Sequence, residues 1–590
     1  MTHARASISP GAAGGTPWGL LVVLVLLPLW NHPYFEELKS PNPLARTYLT
    51  RALYDHHTVA VDQVERQFGD VMDRARRGGH TYCDKAPGSS FLLVPVYAVL
   101  RFNHDAKDVS HQQLLMWGSI MLGVLPTFFA LACLHAILVM LGVAWNARRV
   151  ALIAGGLGCV GVPFELLFFG HQLAACLVMF TLWAGLKAAE NGRFSWALLA
   201  GFFAGWSVIV EYPALILILM IAAWSVGVII RDRALTAERL TTLIAGVVVG
   251  SLPPLLLGMA YHNAAFGGPL TTGYAFIENS YFAAIHNKGL MGIQVPTLQG
   301  LGGTLFSSNR GLFYFEPWAL LWPAGCVLLM RTGRALEGWI LAVTGLLYIC
   351  FAAGFGYWLG GWSLGPRHLV PAQPFFLISM AVVLHYLEKG VTRWAQTGAV
   401  LARGLVVWSV VVIGLACATH SGYPEELIHP FFQMTLPLAW AGFFPHSLGT
   451  MMGWSRQVSS VVPLGAVVVA VLWTVFAGRR VPGLRAQDLF KAAGSLLTAA
   501  LIILVMGGIV QHTAASTHRL AWIMDTVWEP RMTTENKRPD PVKQQPGFGS
   551  RPVRQDERNH VGRHHARTGD PARALELFVQ GVSDGAAGRK

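Results

Sequence analysis

Apolar runs of roughly 20 residues recur about thirteen times along the chain, centred near Leu24, Leu125, Leu157, Val178, Gly205, Leu219, Val248, Leu320, Gly345, Leu377, Val411, Val468 and Leu501. Runs of this length match a hydrocarbon core about 30 Å thick. There the backbone must satisfy its own hydrogen bonds, so each run reads as a helix. The chain is therefore predicted to be an all-α polytopic membrane protein. Composition agrees: 53% of its 590 residues are hydrophobic and 13% are charged, against about a quarter charged in soluble domains. That excludes a disordered chain and an ordinary soluble enzyme. Six of the seven cysteines lie in apolar runs and only Cys83 in a polar loop, so no disulfide framework can be built. The net charge of +13 suggests nucleic acid at first sight, but the basic residues flank apolar runs instead of forming one patch.

Those flanks give an orientation. With the N-terminus in the cytoplasm and spans alternating, the inside connections between Arg148 and Lys491 hold sixteen Lys and Arg, and the outside ones hold four, Lys288, Arg310, Arg367 and Arg456. This is the expected positive-inside bias, and losing one middle span would destroy it. The run Trp18–Trp30 is followed by Asn31-His32-Pro33, not by a small-residue cleavage site, so it reads as an uncleaved first span. The expected organisation is a cytoplasmic segment 1–17, a membrane unit 18–511 with external loops at about 32–111 and 262–316, and a polar, largely disordered tail 512–590. Within the tail, Asp570 to Val582 could form one amphipathic helix.

The first external loop carries the densest chemistry. Thr47 to Phe68 reads as one helix, with Pro41 and Pro43 before it and Gly69 after. Asp55 and Asp62, seven residues apart, would then share a face within about 20°. Two such acids suit a base and its partner or half of a metal site, and a solvated helix face is the plainer alternative. Asp73 opens a basic stretch that leads through Gly78-Gly79 to His80-Thr81-Tyr82-Cys83-Asp84-Lys85 and Pro87-Gly88. The glycine pair and Pro87-Gly88 bracket a hairpin-like turn. Lys85 and His80 could meet a phosphate with Asp84 holding Lys85, or the stretch could be a salt-bridged surface turn. Phe91 to Leu100 is apolar but too short to span, which suits an interfacial helix.

Further polar residues sit at span ends: Glu165 and His171, Glu211 before Tyr212-Pro213, Arg310 followed by Glu316, and Arg367-His368. Ionisable groups at membrane depth are costly and usually face a cavity or a partner. Each alone could be a structural ion pair, yet the charge-derived topology puts all of them on the side of the first loop. One external cavity lined by acids, histidines and arginines is the simplest account. The sequence has no nucleotide-binding glycine motif and no HExxH, CxxC or GxSxG constellation. Energy for chemistry there would have to come with the substrate. A lipid-phosphate donor supplies it, with cations neutralising the departing phosphate and a carboxylate activating an acceptor hydroxyl.

In order from about residue 45 to 375, these residues resemble the membrane-embedded glycosyltransferases of the GT-C superfamily, such as protein O-mannosyltransferases and the bacterial aminoarabinose transferase. The matching motifs are Asp62, Asp73 and Asp84-Lys85-Ala86-Pro87-Gly88; Phe169-Gly170-His171; Glu211-Tyr212; Pro269-Leu270-Thr271-Thr272-Gly273-Tyr274; Arg310-Gly311-Leu312; and Trp362-Ser363-Leu364-Gly365-Pro366-Arg367. The resemblance implies a GT-C-type helical bundle in the cytoplasmic (inner) membrane with its active site on the external, periplasmic side. It implies an inverting transfer of a sugar from a polyprenyl-phosphate donor to a lipid, glycan or protein acceptor of the envelope. Asp62, with Asp55 second, would be the catalytic acid. Lys85, Arg310 and Arg367 would hold the donor phosphate, and Asp73, His80, Tyr82, Asp84, Glu165, His171, Glu211, Tyr274 and His368 would line the cavity. A divalent metal ion is left open, because the Asp-Glu pair of many relatives is replaced by Asp55-His56-His57 and Asp62-Gln63. A transporter or lipid flippase would instead gather its polar residues near mid-bilayer and repeat its halves. A non-catalytic envelope assembly protein on the same fold is the other alternative.

Overall fold

The computed structural model describes residues 16–31, 40–234, 236–425, 427–440, 442, 444–445, 447–476 and 486–508. The expected polar tail, with its Asp570 to Val582 stretch, and nearly all of segment 1–17 lie outside the described residues. Among the described residues nine helices are long and apolar enough to cross a membrane: His111–Met140, Gly170–Asn191, Ala214–Arg231, Ala237–Phe266, Ala335–Gly354, Arg367–Lys389, Arg393–Ala418, Arg456–Phe476 and Ala486–Gly507. The other four expected centres fall on shorter pieces. Leu24 is in Trp18–Trp30, Leu157 ends Trp145–Leu157, Gly205 is in Phe194–Val210, and Leu320 lies in the tight turn Pro317–Leu321 that leads into Trp322–Arg331. The breaks have local causes. Trp145–Leu157 stops at Gly158, and Phe194–Val210 stops at Glu211, two residues before Pro213.

Three helices share one polarity. Gly170–Asn191, Ala214–Arg231 and Arg367–Lys389 begin beside His171, Glu211 and Arg367. Their far ends lie among basic residues. There Arg231 pairs with Glu337 at 2.7 Å and Arg403 with Glu388 at 2.6 Å, and Arg149 donates to the Trp473 carbonyl at 2.9 Å. The basic connections thus gather at one end of the bundle and the histidine- and carboxylate-bearing breaks at the other.

At that second end the first loop departs from the single helix expected. The helix Pro41–Asp55 starts on its prolines and stops at His56-His57, where His57 takes a left-handed φ of 51°. A new helix, Asp62–Phe68, begins six residues later. Asp55 and Asp62 therefore belong to different helices and share no face, which corrects the expected pairing. A two-stranded antiparallel hairpin follows, β1 (Arg74–Arg77) and β2 (His80–Cys83), with Arg74 opposite Cys83 and Arg77 opposite His80. Its turn residues Gly78 and Gly79 both have positive φ, 59° and 82°, the conformation that a two-residue hairpin turn favours. The next helix, Gly88–Leu100, is the short apolar one anticipated for the interface. The second loop docks on the hairpin: Glu278 pairs with Arg74 and Arg76, and its N–H donates to the Arg74 carbonyl.

Close helix packing fixes these parts. Gly201 and Gly205 on Phe194–Val210 face Gly246 and Gly250 on Ala237–Phe266. A Cβ on Gly201 would lie 2.1 Å from the Val247 carbonyl oxygen, and one on Gly250 would lie 2.1 Å from that of Leu198. Small residues at four-residue spacing let backbones touch where no water drives association. Gly201→Val or Gly250→Val is expected to cost about 1–3 kcal/mol, read as a fall of several degrees in thermal midpoint in detergent. Gly302→Ala, where a Cβ meets nothing within 4 Å, should leave the midpoint unchanged or raised.

Candidate functional site

The open end of the hairpin makes the first part of the site. One step beyond the Arg74–Cys83 pair, Asp73 and Asp84 face each other with Lys85 between them. The Lys85 ammonium lies 3.0 Å from Asp73 and 3.1 Å from Asp84. All three are largely buried. Burial opposes the charge on Lys85, but the two carboxylates outweigh it and hold the ammonium above the ordinary lysine range. Burial pushes the Asp84 carboxyl up to about 6, with Asp73 adding to the rise and Lys85 pulling against it.

The second part is an ion pair that ties the first loop to the bundle. Arg46, 2% exposed, donates to Glu211 at 3.0 Å, to the Ala86 carbonyl at 3.2 Å and to Ser89 at 3.3 Å. His171 Nδ1 lies 3.6 Å from the same Glu211 oxygen. Gly170 makes room for this: a Cβ there would lie 2.5 Å from Glu211 Oε1 and 3.0 Å from Arg46. Burial raises the Glu211 carboxyl, while the charges of Arg46, Arg367 and Lys85 all act to lower it.

Arg367 is the third part. It is half-buried, and its guanidinium lies over the Phe169 ring at 5.5 Å. Its Nε is buried without a hydrogen-bond partner, and no carboxylate among the described residues lies within ion-pair distance. His368 packs edge-on against His171 with centroids 5.6 Å apart. Tyr274 closes the cluster from the second loop, near enough to Lys85 and Glu211 for their charges to act on its hydroxyl; burial, with Glu211, raises that hydroxyl above its ordinary range. Gly273 permits the approach, since a Cβ there would lie 3.0 Å from Asp84 Cα.

The structure thus brings together Asp73, Asp84, Lys85, His171, Glu211, Tyr274, Arg367 and His368. The remaining expected residues lie elsewhere. Asp62 is the first residue of its short helix, accepting from the Thr81 N–H at 3.0 Å and contacting His80 Nδ1 at 3.2 Å. That places Asp62 toward the hairpin tip, about 10 Å of strand away from Asp84. His80 is exposed there, and Tyr82 packs on Phe266. Asp55 accepts from Tyr97 at 2.6 Å and Arg101 at 2.9 Å. Glu165 is fully buried in the bundle, 3.4 Å from Gln172. Arg310 is also fully buried, and its guanidinium donates to the carbonyls of Leu359, Gly361, Tyr423 and Asn309. Its expected phosphate role is corrected to a clamp on two loops, because backbone oxygens occupy the nitrogens a phosphate would need.

Sequence reasoning missed Arg46. The signal was an arginine amid Leu44-Ala45 and Tyr48-Leu49, on a helix that starts at Pro41 and not at Thr47. No group of three or more His, Cys, Asp or Glu that could hold a metal ion occurs among the described residues. Lys85 already takes the space between the two nearest carboxylates, which does not fit a divalent ion. A cavity of about 160 Å³ lies at the opposite end around Glu388, Arg403 and Lys491. A smaller one of about 40 Å³ lies inside the bundle by Gln172 and Gln373. Converging charge, not volume, is what marks the site.

No protein-family model and no curated protein matches the chain. Among solved structures, it is similar to arabinosyltransferase EmbB from Mycobacterium smegmatis, with 14% identity and a TM-score of 0.39 over 83% of this chain and 40% of that one. It is also similar to ArnT from Cupriavidus metallidurans, solved bound to undecaprenyl phosphate, with 14% identity and a TM-score of 0.40 over 86% of this chain and 92% of that one. The chain spans well under half the length of EmbB.

Two outcomes follow from the ion pairs. The unfolded Asp84 carboxyl titrates near its ordinary 3.8 and the folded one near 6. Its stabilising contribution is therefore complete below the lower value and lost as pH rises through the upper one. Proton uptake on Asp84 also removes one negative charge beside Lys85. Sulfate, whose own charge is constant in this range, should bind severalfold tighter at pH 5 than at pH 7.5, and Asp84→Asn should flatten that profile. Arg46→Met should destabilise the fold by about 3–5 kcal/mol, because it strands Glu211, with Glu211→Gln restoring much of the loss in the double variant.

Proposed function

We propose that this chain transfers a sugar from a polyprenyl-phosphate-linked donor to an acceptor of the cell envelope, on the outer face of the cytoplasmic membrane. The observation that carries this reading is Arg367, a half-buried guanidinium with no carboxylate in ion-pair reach among the described residues, in one cluster with Lys85. Burying a cation without a partner is costly, and an anion that enters the cluster removes the cost. Three helices begin at the cluster, and their partial positive N-termini favour the same charge. A lipid-linked donor brings such an anion to the membrane surface, together with its own leaving group.

In this reading Lys85 and Arg367 hold the donor phosphate and take up its charge as it departs. The acceptor hydroxyl oxygen attacks the anomeric carbon from the face opposite the phosphate. The carbon–oxygen bond to phosphate breaks, polyprenyl phosphate leaves, and the configuration inverts. The hydroxyl proton goes to a carboxylate, which we assign to Asp73, the more exposed of the two acids on Lys85. Asp62 and Asp55 are engaged away from this point. Arg46, Glu211 and His171 position the loop against the bundle. Positive-inside counting supports the outer face, since the cluster lies opposite the basic connections.

In proteoliposomes loaded with radiolabelled lipid-linked sugar, Arg367→Gln and Asp73→Asn should each lower transfer at least about a hundredfold. Asp62→Asn should stay within a few-fold of wild type. Wild-type turnover by Arg367→Gln would sink the reading.

A further inference from the structure

Six rings follow one another around the Lys85–Arg367 cluster. Tyr274 and His286 have centroids 4.6 Å apart, His286 and Phe355 5.6 Å, and Phe355 and His368 4.9 Å. His368 meets His171 at 5.6 Å, and His171 stacks on Phe169 at 6.3 Å, the ring that carries the Arg367 guanidinium. These rings come from separate parts of the chain: the start of Gly170–Asn191, the tight turn Gly273–Phe276, the short helix Ser280–His286, the residue after Ala335–Gly354, and the turn at Arg367. Tyr274, His286, Phe355 and His368 are only half-buried. Rings brought together solely to fill a core would be closed over; these keep surface free beside the cations.

The arc also holds an unused polar atom. The Nε2 of His368 is buried without a hydrogen-bond partner. In the neutral tautomer that carries its proton on Nδ1, Nε2 holds a lone pair and is an acceptor awaiting a donor. Leaving it unmatched costs stability that a bound hydroxyl would recover. The matching ligand has an apolar face for the rings, a hydroxyl for Nε2, and an anion within reach of Lys85 and Arg367. A glycosyl ring joined to a phosphate has all three.

We propose that Tyr274, His286, Phe355 and His368 form the seat of the donor's sugar ring, with His368 Nε2 accepting one of its hydroxyls. This rests on the donor reading above and adds which residues read the sugar. Phe355 and the His286 ring cover its C–H face, and Tyr274 stands between the sugar and Glu211. The arc therefore sets which sugars are accepted, whereas the cations bind any polyprenyl phosphate.

The test compares binding of three probes to the full chain in nanodiscs: bare undecaprenyl phosphate, undecaprenyl-phosphate mannose and undecaprenyl-phosphate arabinose. His368→Phe keeps the ring and removes the acceptor. It should weaken the tighter sugar-bearing probe about tenfold, the worth of one hydrogen bond, and leave the bare carrier unchanged. Phe355→Leu should act in the same direction. Arg367→Gln should weaken all three probes. Equal loss of bare and sugar-bearing carriers in both His368→Phe and Phe355→Leu, no loss in either, or a wild type that binds neither sugar-bearing probe more tightly than the bare one, would overturn the sugar seat. An unchanged bare carrier with Arg367→Gln would overturn the phosphate assignment alone.

Discussion

A chain that breaks its helices inside an apolar bundle must supply hydrogen-bond partners for the freed backbone from its own side chains. The structure meets that requirement at several of its irregular segments. Arg310 donates to carbonyls of two loops, Leu359 at 2.7 Å, Gly361 at 2.7 Å and Tyr423 at 3.0 Å. Trp318 donates to the Gly158 carbonyl at 3.0 Å, where Trp145–Leu157 ends. Glu316 accepts from the Val160 N–H and, at 2.6 Å, from Gln373. Remove these and the irregular segments would carry orphaned polar groups at a cost of several kcal/mol each.

Those breaks assemble the charge cluster. Helix starts beside His171, Glu211 and Arg367 turn toward a common point. The hairpin brings Asp73, Asp84 and Lys85 to it, and the Arg46–Glu211 pair locks the loop to the bundle. The two kinds of cation are distinct in consequence. Arg46 and Arg310 are saturated by protein partners and hold structure, whereas Arg367 has no ion-pair partner among the described residues and its Nε is unpartnered. Type and depth alone do not separate them; partner count does.

Much of the architecture was legible in the sequence. Hydropathy runs of span length found the helical segments, and the positive-inside count separated the two ends, because both effects act on long stretches and average over local detail. Glycine pairs and Pro-Gly steps marked the hairpin and the start of Gly88–Leu100. The site was legible in part. Lys85 in the first loop and Glu211 and Arg367 at span ends could be listed by residue type, and they do meet. The shared face of Asp55 and Asp62 failed because one helix was read through His56-His57, where His57 takes a left-handed φ. Arg310 misled because its partners are carbonyls, which every residue has and no pattern reveals. Arg46 was hidden for the converse reason: its acid lies 165 residues away, and only the fold brings them together.

The hairpin works as a ruler. Asp73 stands opposite Asp84 because four strand pairs and a two-residue turn lie between them. Side chains alternate in facing along a strand, so a one-residue slip of this pairing would turn one carboxylate away from the lysine. Strand register, in a hairpin this short, is thus a coordinate of the charge cluster.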